Sequence, residues 1–244
     1  MISKAIIKDI QNLALKKHRD EQGRFVAEGL KWVDELLQAV PGQIQTLYAT
    51  AEWIEAQGPL LQGQSVVEVE TGILSRISQL QTPNQVVAVV KQFEQRPVPA
   101  GSGISLVLDT IQDPGNLGTL IRTADWFGIR QILCSPNCAD IYNPKVVQAT
   151  MGSLVRVPVS YLSLPEWVGA QTGMSKWAAV LSGTNYSEIP ADGNGILMMG
   201  NESRGLSDAL LALATDRVTI PRRGGAESLN VAVATGILLA RLAG

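Results

Sequence analysis

ISLVLDTIQDPGNLGTLIRTADWFG, residues 104–128, decides the fold class. ISLVLD (104–109) is an apolar strand that ends in an aspartate. NLGTLIRTADWFG (116–128) then reads as a helix closed by Gly128, and Asn116 is placed to cap it. Moving outward, RQILC is a strand, and strand signals return at WAAVL (177–181), ILMMG (196–200) and RVTI (217–220). Helical patterns fill the gaps, ending with LNVAVATGILLARL. Continuous apolar strands separated by helices predict an α/β fold, a parallel sheet covered on both faces. Ligands of such sheets sit at the carboxyl ends of strands. The loops after Asp109, Leu181, Met199 and Ile220 are therefore where chemistry is expected.

Toward the N-terminus lies QRPVPAGSG (95–103), whose prolines and glycines suit a linker. It divides the chain into residues 1–94 and 104–244. The first part alternates helix and strand. Ile6, Ile7, Ile10, Leu13 and Leu15 recur at helical spacing, as do Leu30, Val33, Leu36 and Leu37. TLYA (46–49), SVVEV (65–69) and QVVAVV (85–90) read as strands of a small α/β domain. Residues 1–31 carry seven basic side chains against four acidic ones. Lys16, Lys17, Arg19 and Arg24 are the candidates there for a backbone-phosphate contact, and a solvated helix face is the other reading.

Composition excludes several classes. With 244 residues, 45% apolar and 17% charged, the chain can bury a large core and is no disordered tail. A net charge of -2 gives no support to nucleic-acid binding through bulk charge. No uncharged apolar run is long enough to span a membrane, and the N-terminus lacks the apolar stretch of a secretory signal, so a cytoplasmic chain is expected. Cys134 and Cys138 read as reduced thiols, since one C-x₃-C pair makes a poor zinc site; no metal is expected. His18, the single histidine, sits in the KKHRD charge run. A Ser-His-Asp hydrolase or a histidine-ligated metal enzyme is thereby disfavoured. P-loop and dinucleotide-binding fingerprints are absent.

Three of the four loops have unusual composition. In the first, Arg122 is a polar residue among Leu120, Ile121 and Ala124, and must find water, a carboxylate or a phosphate. In the second, ILMMGNESRGL, Gly200 and Gly205 bracket Asn201, Glu202, Ser203 and Arg204. In the third, Ile220-Pro221 leads into Arg222, Arg223, Gly224 and Gly225, and Ser228, Leu229 and Asn230 open the last helix. Backbone amides at a helix start favour anions, and two arginines beside them suit a phosphate.

In this order the motifs resemble the SpoU/TrmH family of RNA ribose methyltransferases, within the SPOUT superfamily. Asn116, Gly118, Arg122, Phe127 and Gly128 match its first motif, Gly200, Glu202 and Gly205 its second, and Ile220, Pro221, Ser228, Leu229, Asn230 and Val231 its third. RFVAEGLKWVDELL (24–37) and TPNQVVAVV (82–90) resemble its ribosomal-protein-like substrate-binding domain. The resemblance implies a substrate domain over 1–94, a linker over 95–103, and a methyltransferase domain over 104–244 with a C-terminal trefoil knot. It implies S-adenosylmethionine bound by Leu181, Ser182, Gly183, Gly200, Ile220 and Leu229, and a site built from Asn116, Arg122, Glu202, Ser228 and Asn230. Arg122 would hold the target phosphate and stabilise the developing alkoxide, since guanidinium is a poor base; the base itself is unassigned. Arg222 and Arg223 would join the RNA contacts. The implied partners are a second copy of the chain and RNA, ribosomal before transfer RNA. A homologue that binds RNA without catalysis, or one that methylates a base or a protein, is the rival reading.

Overall fold

The computed structural model describes residues 2–94, 96–191 and 193–243; Gln95, the first residue of the expected linker, lies outside them. The chain divides into two compact units. One is Met1–Glu94 with Asp140–Val155, the other Gln95–Ala139 with Arg156–Gly244. Along the chain come α1 (Lys4–Asn12), α2 (Lys16–Gln22), β1 (Arg24–Glu28), α3 (Leu30–Ala39), β2 (Ile44–Ala49), α4 (Ala51–Gln57), β3 (Val66–Glu68), α5 (Thr71–Ile77) and β4 (Val86–Lys91). Then follow β5 (Ile104–Leu108), α6 (Pro114–Trp126), β6 (Gln131–Cys134), α7 (Pro144–Thr150), β7 (Val159–Tyr161) and α8 (Leu164–Ala170). The last elements are β8 (Lys176–Asn185), β9 (Gly195–Met199), α9 (Asp208–Leu211), β10 (Asp216–Thr219) and α10 (Val231–Leu242).

The first unit is a four-stranded sheet in the order β1-β4-β2-β3, with β4 antiparallel to both neighbours and β2 parallel to β3. Ile7 and Ile10 of α1 and Leu74 and Ile77 of α5 bury against Val87 and Val89 of β4. Strand β1 was missed in the sequence because its buried run, Phe25–Ala27, is only three residues long and abuts a stronger helical pattern. The segment 140–155 belongs here, although the sequence reading placed all of 104–244 in the other domain. Its aromatic and polar groups explain this. Tyr142 lies 4.7 Å from Phe25 between ring centroids, and Trp32 Nε1 donates to the Val147 carbonyl at 2.7 Å.

The second unit is a six-stranded sheet in the order β10-β8-β9-β5-β6-β7, with every pairing parallel. Strands β5 and β9 are buried at all five positions, as continuous apolar strands of a two-face-covered sheet should be. They are neighbours, so the loops after them lie side by side. Helix α6 begins at Pro114 and is capped by Asp113, whose side chain accepts the Asn116 N–H at 2.7 Å. This corrects the expectation that Asn116 is the cap: proline favours the first helical position, and the aspartate before it takes the cap. The helix ends where expected. Gly128, at φ +63°, and Ile129 donate back to Asp125 and Ala124, a Schellman closure.

Strand β8 departs from the reading that ended it at Leu181. It runs to Asn185, but β10 pairs with it only at Trp177–Ala178 and Thr184–Asn185. Residues 179–183 bow out between these two registers. Gly183 lies at the return, where a Cβ would stand 2.5 Å from the Arg217 carbonyl oxygen. Only glycine permits that approach. Among the described residues no helix is long and apolar enough to cross a membrane.

Candidate active site

Helix α6, the loop after β9 and the start of α10 converge through three side chains. Asn116 Nδ2 donates to Glu202 Oε1 at 2.6 Å. Asn230 Nδ2 donates to Asn116 Oδ1 at 2.8 Å and to the same Glu202 oxygen at 3.3 Å. Asn230 is held from behind as the cap of α10, its Oδ1 accepting the Ala232 and Val233 N–H groups at 2.9 and 3.3 Å. That cap turns its amide nitrogen outward, toward the other two residues. Moving the α6 cap to Asp113 likewise leaves the Asn116 amide free for Glu202.

The loops beneath are fixed by further bonds. Asn201 Nδ2 donates to the Thr110 carbonyl at 2.9 Å, and Asn201 Oδ1 accepts the Ser203 and Arg204 N–H groups. Gly200 lies where a Cβ would overlap the Gly205–Leu206 peptide, so the loop can fold back only on a glycine. The Cys138 thiol accepts the Ile111 N–H and donates to the Leu108 carbonyl, each at 3.2 Å. Its pKa is lowered to about 7, chiefly by hydrogen bonding from Cys134, whose own pKa is raised well above the thiol range. Both cysteines are buried free thiols.

Arg122 is exposed on α6, one turn before Trp126, which is 85% exposed. Its side chain has no hydrogen bond or ion pair among the described residues. Asp125, a carboxylate within reach along the helix, is instead bound by Arg156 through two nitrogens at 2.8–3.1 Å. A long cation left in solvent at a strand-end site is available to an anionic ligand.

Leu181 is 80% exposed on the bowed segment of β8, and Leu229 is 46% exposed before α10. Ser182, Gly183, Arg222, Arg223 and Ser228 are also exposed, and Arg222 Nη1 donates to the Ala226 carbonyl at 3.3 Å. Leu181 and Leu229 thus present apolar side chains to solvent in two of the segments expected to meet the methyl donor. Sequence reading did not single out Asp109, Thr110 or Asn201 as site residues. The signal available was their placement at strand ends within motifs already quoted.

One expected RNA contact is corrected. Arg19 is 2% exposed. Its Nη1 donates to the Leu13 and Ala14 carbonyls, both at 2.8 Å, and its Nη2 pairs with Asp140 at 2.6 Å. The guanidinium satisfies carbonyls left open at the end of α1 and cannot reach a phosphate. Arg24 is pinned by Asp9 at 3.0 Å and Gln45 at 3.2 Å. Lys16 and Lys17 stay in solvent, each facing an acidic residue four positions on.

Residues 103–240 match the model of the SpoU rRNA methylase family, and residues 4–88 match an MRM3-like substrate-binding domain. The chain is 34% identical, over 98% of its length and 96% of the relative's, to a 23S rRNA guanosine-2553 2′-O-methyltransferase of Bacillus subtilis. Among solved structures, it resembles an S-adenosylmethionine-bound rRNA methyltransferase of Sinorhizobium meliloti, with a TM-score of 0.86, 35% identity, and 99% and 95% of the two chains covered. The SpoU methyltransferase AviRb of Streptomyces viridochromogenes, also solved with S-adenosylmethionine, gives 0.85 and 25%, covering 99% and 97%.

Proposed function

The chain belongs to the SpoU rRNA methylase family, and from that premise we propose that it transfers the methyl group of S-adenosylmethionine to a ribose 2′-hydroxyl of ribosomal RNA. The observation that carries this reading is the meeting of Asn116 of α6, Glu202 of the loop after β9 and Asn230 at the start of α10, with Arg122 exposed on the same α6. S-adenosylmethionine supplies a sulfonium methyl open to attack by an oxygen nucleophile. Leu181 and Leu229 wall its adenosine, and main-chain groups of Ser182, Gly183, Gly200 and Ile220 hold its polar edges. Arg122 holds the RNA phosphate and stabilises negative charge on the 2′-oxygen as its bond to the methyl carbon forms and the carbon–sulfur bond breaks, leaving S-adenosylhomocysteine and releasing the hydroxyl proton to solvent. Asn116, Glu202 and Asn230 fix the loops around that oxygen, with Ser228 beside them. Arg222 and Arg223 hold neighbouring phosphates, and Lys16, Lys17 and Arg24 supply affinity from the first unit, without chemistry. The protein works in the cytoplasm as a homodimer, which covers the exposed apolar positions of α10, such as Val233.

The test is incubation of the purified protein with S-adenosylmethionine labelled in its methyl group and with ribosomal RNA, followed by alkaline hydrolysis. A ribose methyl blocks cleavage of its own phosphodiester, so the label must appear in alkali-stable dinucleotides. Label in mononucleotides would assign the methyl to a base and overturn the reading.

A further inference from the structure

The loops after β5 and β9 are joined below the Asn116–Glu202 pair by a strained turn. Thr110 has φ +59°, a left-handed conformation that a β-branched residue rarely adopts. Its backbone and side chain are gripped on three sides. The Thr110 N–H donates to Ser135 Oγ at 2.8 Å, its carbonyl accepts from Asn201 Nδ2 at 2.9 Å, and its hydroxyl donates to Asp109 Oδ1 at 3.0 Å. The other Asp109 oxygen accepts the Ser207 N–H at 2.9 Å. Asp109 is 8% exposed, so its carboxylate is committed to these bonds. Two of the four contacts, through Asn201 and Ser207, reach across to the loop that carries Glu202. Strain of this kind persists only where its surroundings over-determine it, and it gathers at functional sites.

We infer that Asp109, Thr110 and Asn201 form a clasp of positioning residues, which sets the loop bearing Glu202 against the helix bearing Asn116 and Arg122. The inference rests on the functional reading above. None of the three needs to touch RNA or methyl donor. A misplacement of about 1 Å at a reacting centre can cost ~100-fold in rate, so a clasp that fixes two loops acts on turnover more than on affinity.

Three variants separate this role from a merely structural one. Thr110→Gly accepts the positive φ without strain and loses the hydroxyl grip. Asn201→Asp keeps the acceptor for Ser203 and Arg204 but cannot donate to the Thr110 carbonyl. Thr110→Ser keeps the hydroxyl bond to Asp109. Steady-state methylation of ribosomal RNA is measured for each, with thermal melting of the same preparations. For Thr110→Gly and Asn201→Asp the expected result is kcat reduced ~10–100-fold, KM for both substrates within about twofold, and a melting temperature close to wild type. Thr110→Ser should hold kcat within about threefold. Overturning results are kcat unchanged in the first two variants, or activity lost only in proportion to the unfolded fraction. If wild-type protein methylates no ribosomal RNA, the functional reading fails and takes the clasp's role with it; active wild type with equally active variants defeats the clasp alone.

Discussion

Arg122 and Arg19 show how little a residue's type says about its task. Both are arginines in helical stretches, Arg19 within the charged run KKHRD and Arg122 among Leu120, Ile121 and Ala124. Arg19 is buried against two carbonyls and Asp140, whereas Arg122 is exposed and the carboxylate three residues on, Asp125, is held by Arg156. Their substitutions should diverge accordingly. Arg19→Ala leaves Asp140 and two carbonyls without their donor, so unfolding in urea should show a loss of about 3–5 kcal/mol. Lys17→Ala, breaking one exposed pair, should cost under ~0.5 kcal/mol. Equal losses would contradict the structural role of Arg19. Arg122→Ala should leave stability within about 0.5 kcal/mol, because the side chain is exposed and makes no hydrogen bond or ion pair among the described residues. If the guanidinium stabilises charge at the 2′-oxygen, single-turnover methylation should slow ~100–1,000-fold, from a barrier raised by ~2.7–4 kcal/mol. Calorimetry should find S-adenosylmethionine affinity unchanged. A mutant that methylates at the wild-type rate would end that assignment.

Strands and their loops were the most legible level. The buried runs of β5 and β9 could be read directly, because a strand covered on both faces has no reason to alternate. Gly128 announced the end of α6 because its positive φ suits glycine. Short elements were opaque: β1 and β7 bury too few residues to show a period. The α6 cap was misread because Asp113 and Asn116 are both good caps, and only the proline between them decides. The bow in β8 could not be read, since it depends on a change of register against β10, far away in sequence. Yet that bow is what presents Leu181. Gly183→Ala tests it: the added methyl must push the Arg217 carbonyl away, at a cost of about 1–3 kcal/mol. S-adenosylmethionine binding, followed by calorimetry, should be lost with it. An alanine variant of wild-type stability and affinity would show that the close approach is dispensable.

Over the whole molecule, residues 140–155 pack with the first compact unit, although the family match over 103–240 runs through them. Nothing in residues 140–155 marks them as belonging with the first unit. Tyr142, Asp140 and Val147 pack there through contacts that include Phe25, Arg19 and Trp32, more than a hundred residues away in sequence. The proposed homodimer belongs to this scale. Val233 on α10 is 52% exposed, and light scattering should give about twice the chain mass of 26.1 kDa at micromolar concentration. A monomeric mass would contradict the homodimer. The central claim is that this chain places one or more ribose methyl groups on ribosomal RNA. Mapping 2′-O-methylation across all RNA from cells lacking the gene tests it most directly, with wild-type and Arg122→Ala copies restored in parallel. The account predicts that at least one ribosomal RNA mark disappears, returns with the wild-type copy, and stays absent or strongly reduced with Arg122→Ala. A methylation map identical to that of the parent cells, or a lost mark confined to transfer RNA, would contradict it.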